Sequence, residues 1–357
     1  MYARFGLTLM VNHACNLRCG YCYTGAKFGR RLPPAFGRAA IDRGLRSLEP
    51  GGTLELNFFG GEPLVEAESI VDWMDYAATE AARWKRSVQF GMTTNGTLAE
   101  GAAWQVLTHP ELQLAISHDG LPEVHDGQRR TADGHGSSAQ VLATIDRLQA
   151  TGKSFRVVIV VRPESAARLP EGLQFLWNLG VDRFDLSLDL WTRWERADAA
   201  RLKRAIAASA DWWADCLPQV AVNWFDEKVA RLTAVPTNLT ARCSFGAGEV
   251  AVAPSGRLYP CERAIGEDRD DNPMRLNGHI SLGRDFLQYR PAAEKSAAEC
   301  HSCSLNGVCD TTCRCSNYIR TGHVDRPDGL LCFVNQCCVD ETERALARVR
   351  VPNAAIV

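Results

Sequence analysis

The sequence predicts a parallel α/β fold, and three observations carry that expectation. Strand-like and helix-like patterns alternate along the first half of the chain, glycines stand where helices should end, and each motif with chemical character falls just after a strand. The strand-like stretches are Phe5–Asn12, Thr53–Gly60, Val88–Thr94, Leu112–Ser117, Arg156–Val161 and Arg183–Leu190. Between them, Ile41, Leu45 and Leu48 share one helical face, and Val141, Ile145 and Leu148 share another. Gly152 and Gly180 stand where helix C-caps precede the next strand. Successive β/α units imply a parallel sheet with helical crossovers, whose ligand site lies at the C-terminal ends of the strands. A cysteine-rich loop follows strand one, G-G-E-P (Gly60 to Pro63) strand two, T-T-N-G (Thr93 to Gly96) strand three and S-H-D-G (Ser117 to Gly120) strand four.

Bulk properties narrow the class. A chain of 357 residues with 46% apolar content can build one large domain and a smaller one. The net charge of −2 gives no basic footprint for nucleic acid. No apolar run approaches a membrane span, and the start lacks the layout of a signal peptide. Fourteen cysteines in a chain of this size without an export signal point to metal-binding thiols in a reducing cytoplasm.

Cys15, Cys19 and Cys22 form a C-x3-C-x2-C run on the first loop. Three thiolates this close can converge on one inorganic centre. A tetrahedral zinc needs four ligands, which here requires recruiting His13. A cubane iron–sulfur cluster can work with three protein thiolates, leaving its remaining iron for another ligand. In G-G-E-P, two glycines let backbone approach a ligand closely, and Glu62 can accept hydrogen bonds from an ammonium. Asn95 also reads as a turn residue. His118 is a candidate contact or a structural histidine, and Arg129, Arg130 and Arg162 are possible partners for a carboxylate.

The C-x3-C-x2-C run and the motifs at the next strand ends resemble the radical S-adenosylmethionine enzymes. That resemblance implies an open, partial (β/α)6 barrel and a [4Fe–4S] cluster held by Cys15, Cys19 and Cys22. The open iron would chelate the methionine moiety of S-adenosylmethionine, and reductive cleavage would give a hydrogen-abstracting 5'-deoxyadenosyl radical. It further implies that Gly60, Gly61 and Glu62 lie at the methionine amino group. Ser117 and Asn95 would lie near its carboxylate, and Tyr21 near the adenine.

A second signature lies near the C-terminus. From Cys243 the chain reads C-x12-G-x4-C to Cys261, then C-x2-C-x5-C-x3-C at Cys300, Cys303, Cys309 and Cys313, with Cys332 last. A zinc ribbon would want paired C-x2-C knuckles, but Cys243 and Cys261 are far apart. The pattern resembles the SPASM extension of one radical S-adenosylmethionine branch. It implies two auxiliary [4Fe–4S] clusters, the first on Cys243, Cys261 and Cys313 and the second on Cys300, Cys303, Cys309 and Cys332, making three clusters in all. Relatives with a fully ligated first auxiliary cluster carry an extra cysteine just upstream, and Leu232 to Arg242 has none. Either Cys216 supplies it or that cluster has an open iron. Cys315, Cys337 and Cys338 are surplus to the pattern. Glu262 stands where sulfatase-maturating relatives carry an aspartate acting as general base, which makes it the candidate catalytic residue.

The expected division is a barrel over 1–194, a helical bridge over 195–240 and a SPASM domain with a C-terminal helix over 241–357. In the bridge, Leu202, Ile206 and Trp213 fall near helical spacing. Trp191, Trp194, Trp212, Trp213 and Trp224 read as core or interface residues. The family branch implies modification of a ribosomally made peptide by cross-linking or oxidation. A formylglycine-forming sulfatase maturase is the alternative, and a non-catalytic iron–sulfur or zinc scaffold is the reading of another class. Implied partners are the precursor peptide, an electron donor such as flavodoxin or ferredoxin, and possibly a separate leader-binding protein, since strand one begins almost at the N-terminus.

Overall fold

The computed structural model describes residues 1–233, 245–289, 300, 302–306, 308–309 and 313–349. In chain order the elements are β1 (Tyr2–Asn12), α1 (Pro34–Ser47), β2 (Leu48–Gly60), α2 (Ala67–Arg83), β3 (Ser87–Thr94), α3 (Gly101–Leu107) and β4 (Leu112–Ser117). Next come α4 (Pro122–Gln128), α5 (Ser138–Ala150), β5 (Phe155–Val161), α6 (Leu169–Asn178), β6 (Arg183–Leu188), α7 (Arg196–Asp215) and β7 (Ala221–Val222). The remaining elements are α8 (Asn223–Leu232), β8 (Glu249–Val252), β9 (Leu258–Tyr259), α9 (Arg314–Thr321) and α10 (Gly329–Arg348). All six strands expected from the sequence are present. No helix among the described residues is long and apolar enough to cross a membrane.

The chain divides into two compact units. The first comprises Met1–Ser117, Asp126–Phe155 and, of the later described residues, 245–289. Its strands run in the order β4-β3-β2-β1-β8-β9, parallel except for β9, which returns antiparallel to β8. Strand β1 is central, and Phe5, Leu7, Leu9, Met10 and Val11 are all fully buried. Burial on both faces explains why this strand reads as an apolar run rather than an alternation. Met10 packs with Ala251, Ala253, Tyr259 and Ile265, joined by Phe59 and Ala264. That cluster seats the β8–β9 hairpin on β1, and each parallel strand delivers its C-terminal end to the same edge.

The second unit comprises His118–His125, residues 156–233 and the described residues from 300 onward. Here β5, β6 and β7 pair in parallel, and α6, α7, α8 and α10 pack together. Of the expected core tryptophans, Trp213 is buried against Phe225 at 5.3 Å and half-buried Trp212 meets Trp177 and Phe184 edge-on, whereas Trp191 is exposed. Buried Lys228 on α8 donates to Asn335 Oδ1 on α10 at 2.8 Å.

Candidate active site

The loop after β1 is held at both sides by backbone bonds. Where it leaves the strand, Leu32 N–H donates to Val11 O and His13 N–H to Arg30 O, at 2.8 and 2.9 Å. On the other flank, Arg18 N–H bonds Arg130 O and Gly20 N–H bonds Gln128 O, with Leu17 paired to Thr131. Leu17 is fully buried and pins the loop between the first two cysteines. The fold therefore shapes a loop of otherwise irregular backbone through hydrogen bonds at either edge.

Cys15 and Cys22 both receive donors. Cys15 Sγ accepts from Leu17 N–H at 3.3 Å and from Asn95 Nδ2 at 3.8 Å. Burial pushes its pKa up to about 11. Lys27 Nζ stands 2.9 Å from Cys22 Sγ, and Thr24 Oγ1 lies 3.2 Å from the same sulfur. Burial raises the Cys22 pKa, but the Lys27 and Thr24 hydrogen bonds outweigh it and leave the thiol below its ordinary value. Donors aimed at sulfur stabilise thiolate, the form that ligates iron. Buried His13 stacks on Phe28 at 4.3 Å, and burial lowers its pKa to about 4.

G-G-E-P is built against this loop. A Cβ on Gly61 would lie 2.2 Å from Ala14 O, and one on Gly60 would lie 2.7 Å from Asn12 Oδ1. Both positions are spaces in which only glycine fits: Gly61 abuts the backbone of the cysteine loop, and Gly60 abuts Asn12 at the end of β1. Glu62 is buried, and its carboxylate accepts from Thr94 Oγ1 at 2.7 Å, Leu64 N–H at 3.0 Å and Asn95 N–H at 2.8 Å. Burial nonetheless raises its pKa, opposed by those same bonds. Asn12 Nδ2 donates to Glu62 O at 2.9 Å. Glu62 thus locks the ends of β2 and β3 together and positions Asn95.

Asn95 continues the network. Its Nδ2 donates to Asn16 Oδ1 at 2.9 Å, and its Oδ1 accepts from Thr97 N–H and Thr97 Oγ1. Tyr21 lies with the Arg129 guanidinium 5.2 Å from its ring centroid. Ser117 is buried at the end of β4. The first unit therefore brings Cys15, Cys22, Gly60, Gly61, Glu62 and Asn95 into one connected set. Sequence reasoning missed Asn12, Asn16, Lys27 and Thr97, which carry no periodic signal. Only the position of Lys27, five residues after Cys22, hints at its contact.

Glu262 opens a short 3-10 turn over Glu262–Ala264, directly after Cys261. Its Oε2 lies 3.4 Å from Cys261 Sγ. Tyr23 stacks on Phe59 at 6.1 Å. Burial and then the Glu262 carboxylate push its hydroxyl pKa well up, and Cys261 and Cys22 add to the shift. The Cys261 turn is tied back to the cysteine loop through buried Asp268, which accepts from Ser255 Oγ at 2.8 Å and Tyr259 Oη at 3.1 Å and pairs with Arg30 at 3.4 Å.

In the second unit, burial raises the Cys332 thiol pKa, and Cys309, Cys300 and Cys303 each push it further. Three thiols expected to share a cluster with Cys332 thus act on it electrostatically. Cys313 Sγ accepts from Ser316 Oγ at 3.1 Å. Cys243 lies outside the described residues. Cys216 ends α7 with Asp215 as its charged neighbour. Cys315, Cys337 and Cys338 are buried, and burial lifts Cys337 to about 11. His118 is buried and stacks on His125 at 4.2 Å. Arg162 pairs with Asp189 and Glu164 at 3.1 and 3.0 Å.

The family model of the radical SAM superfamily matches residues 9–176. This chain carries a radical SAM domain. Its relatives include a serine-type anaerobic sulfatase-maturating enzyme of Klebsiella aerogenes, 23% identical over 85% of this chain and 78% of that protein. A PqqA peptide cyclase of Gluconobacter oxydans is 23% identical over 89% and 87% of the two chains. An uncharacterized Methanocaldococcus jannaschii protein is 29% identical over 52% of this chain, a match that spans 62% of its own length. Among solved structures, native anSMEcpe with bound AdoMet and Cp18Cys peptide superposes with a TM-score of 0.79 at 17% identity, covering 96% and 98% of the chains. Streptococcus suis SuiB bound to precursor peptide SuiA gives 0.60 at 17% identity over 92% and 75%. These likenesses establish the radical SAM fold.

Proposed function

We propose that this protein is a radical SAM enzyme with a SPASM extension that modifies a ribosomally made peptide. The observation that carries the reading is the cysteine loop itself. Its thiols sit at the end of β1, receive N–H and ammonium donors, and are braced by Glu62 and Asn95 from the ends of β2 and β3. This donor set fits a cubane cluster held by Cys15, Cys19 and Cys22. With S-adenosylmethionine bound, such a cluster would supply hydrogen-abstracting radical chemistry, and auxiliary clusters on the later cysteines would supply an electron acceptor.

The chain's own residues frame that chemistry. Lys27 offsets negative charge at Cys22, and Asn95 and Leu17 do the same at Cys15. The Glu62 brace fixes the strand ends, so the backbone around the cofactor needs no reorganisation as charge moves. Tyr21 bounds the adenine side. Glu262, beside Cys261, takes the proton released when the substrate radical is oxidised. Cys243, Cys261 and Cys313 would hold the first auxiliary cluster, and Cys300, Cys303, Cys309 and Cys332 the second. The barrel, bridge and SPASM segments would divide the chain at about 194 and 240. A flavodoxin or ferredoxin would deliver the initiating electron in the cytoplasm.

Similarity over most of the chain to a peptide cyclase supports a peptide substrate, with cross-linking or oxidation as the outcome. Similarity of the same extent to a sulfatase-maturating enzyme favours formylglycine formation as the second reading. Incubating the cluster-loaded protein with short peptides encoded beside it, and with a sulfatase-derived peptide, separates the two. A mass decrease confined to the neighbouring peptide supports the proposal. Formylglycine in the sulfatase peptide supports the second reading, and unmodified peptides alongside productive S-adenosylmethionine cleavage would reject both substrate classes tested.

A further inference from the structure

The β8–β9 hairpin carries a mixed oxygen–sulfur donor set. The antiparallel register pairs Ala251 with Tyr259, so two residues further along each strand Glu249 comes opposite Cys261 on the same face. A carboxylate oxygen of Glu249, the Cys261 Sγ and a carboxylate oxygen of Glu262 all lie within 4.8 Å of one another. Cys261 is buried, whereas both glutamates are partly so. On the other side of β8, Gly6 of β1 pairs with Glu249, and a Cβ there would lie 3.3 Å from Glu249 Cγ. The glycine leaves the Glu249 side chain room to stand beside the thiol.

Two carboxylates and a thiol this close repel one another once ionised, unless a proton or a cation sits among them. The sulfur selects for a soft or borderline metal such as iron or zinc, and two glutamates do not by themselves make a hard-cation cage with it. Glu262 follows Cys261 directly in the chain and lies 3.4 Å from its Sγ, whereas Glu249 approaches the same thiol from the facing strand of the hairpin.

We propose that Glu249 is a protein ligand to the iron–sulfur cluster that Cys261 holds, supplying through oxygen the ligand for which residues 232–242 offer no cysteine. This rests on the reading of Cys261 as an auxiliary-cluster ligand. A carboxylate is harder than a thiolate and grips a cluster iron less firmly. That iron is therefore distinct from its neighbours and is the first lost on oxidation.

The test uses full-length protein with Cys15, Cys19 and Cys22 replaced by alanine, so that only auxiliary clusters remain. Iron and sulfide content, Mössbauer spectra and electron paramagnetic resonance are compared for this parent and for its Glu249→Ala, Glu249→Cys and Glu262→Gln versions. The parent should show an oxygen-ligated iron and yield a three-iron signal on mild oxidation. Glu249→Ala should lose the oxygen-ligated component. Glu249→Cys should replace it with a thiolate-ligated iron and suppress the three-iron signal, which also guards against misfolding of the alanine form. Glu262→Gln should match the parent. Spectra unchanged by both Glu249 substitutions would overturn the assignment of Glu249 alone. A parent that binds no iron or sulfide would overturn the auxiliary-cluster reading beneath it.

Discussion

Lys27 places an ammonium 2.9 Å from Cys22 Sγ, a short charge-assisted contact on the loop that would hold the initiating cluster. A donor to a ligand sulfur stabilises the more negative, reduced cluster. Lys27→Met should therefore lower the reduction potential. If about 1 kcal/mol of hydrogen bonding to the reduced form is lost, the shift for one electron is roughly 40 mV. A potentiometric titration followed by electron paramagnetic resonance checks this, and an unchanged potential would remove Lys27 from the account. Glu62 is the other residue with outsized leverage, because its carboxylate serves three donors from two strand ends. Glu62→Ala strands Thr94, Leu64 and Asn95 donors in the interior, at about 1–3 kcal/mol for each group left unpaired. The urea midpoint of the cluster-free protein should fall accordingly.

At the scale of elements, the contact between the G-G-E-P turn and the cysteine loop is backbone against backbone. Gly61→Ala must push Ala14 away, since the new Cβ would lie 2.2 Å from its carbonyl oxygen. The variant should bind less iron at the N-terminal site and unfold at lower temperature, whereas glycine-to-alanine changes with room available cost little. Iron analysis of a form carrying only the N-terminal cysteines, alongside thermal unfolding, measures both effects. Between β7 and α8, Asp226 accepts from Val222 N–H and Trp213 Nε1. Burial raises its pKa to about 6 despite those bonds. A raised carboxylate pKa means the folded state holds its proton more tightly. The resulting stabilisation is present below the unfolded-state value and disappears as pH rises through about 6. Asp226→Asn keeps an acceptor without the charge, so its stability relative to the wild type should improve between about pH 4 and 7. The gain should be about 1–2 kcal/mol, discounted because the side chain is partly exposed. Denaturant melts at the two pH values decide it, and parallel behaviour of the two proteins would contradict it.

At the scale of the whole molecule, much of the fold was legible because parallel strands and their crossover helices write strong patterns. Strand β4 has the bounds read from the sequence, while β1 and β2 start earlier, at Tyr2 and Leu48, where Ala3, Arg4 and Glu49 to Gly51 are exposed and apolar periodicity fades. Strands β8 and β9 are too short to show a period, so the hairpin that carries Cys261 was invisible, and with it the approach of Glu249. The cysteines and G-G-E-P stood out by spacing and composition. The role of Glu62 did not: its residue type suggests a ligand contact, yet its oxygens turn inward to the backbone and hydroxyl donors of β3. Polar networks such as Asn16–Asn95–Thr97 depend on which loops meet, which no local pattern encodes. The central claim is that Cys15, Cys19 and Cys22 hold a cluster that cleaves S-adenosylmethionine. It is tested most directly by quantifying 5'-deoxyadenosine from the anaerobically reconstituted protein with reductant and S-adenosylmethionine. The wild type should form it and the Cys15→Ala, Cys19→Ala, Cys22→Ala protein should not. Equal formation by both, or none from a wild type with its clusters fully loaded, would contradict the account.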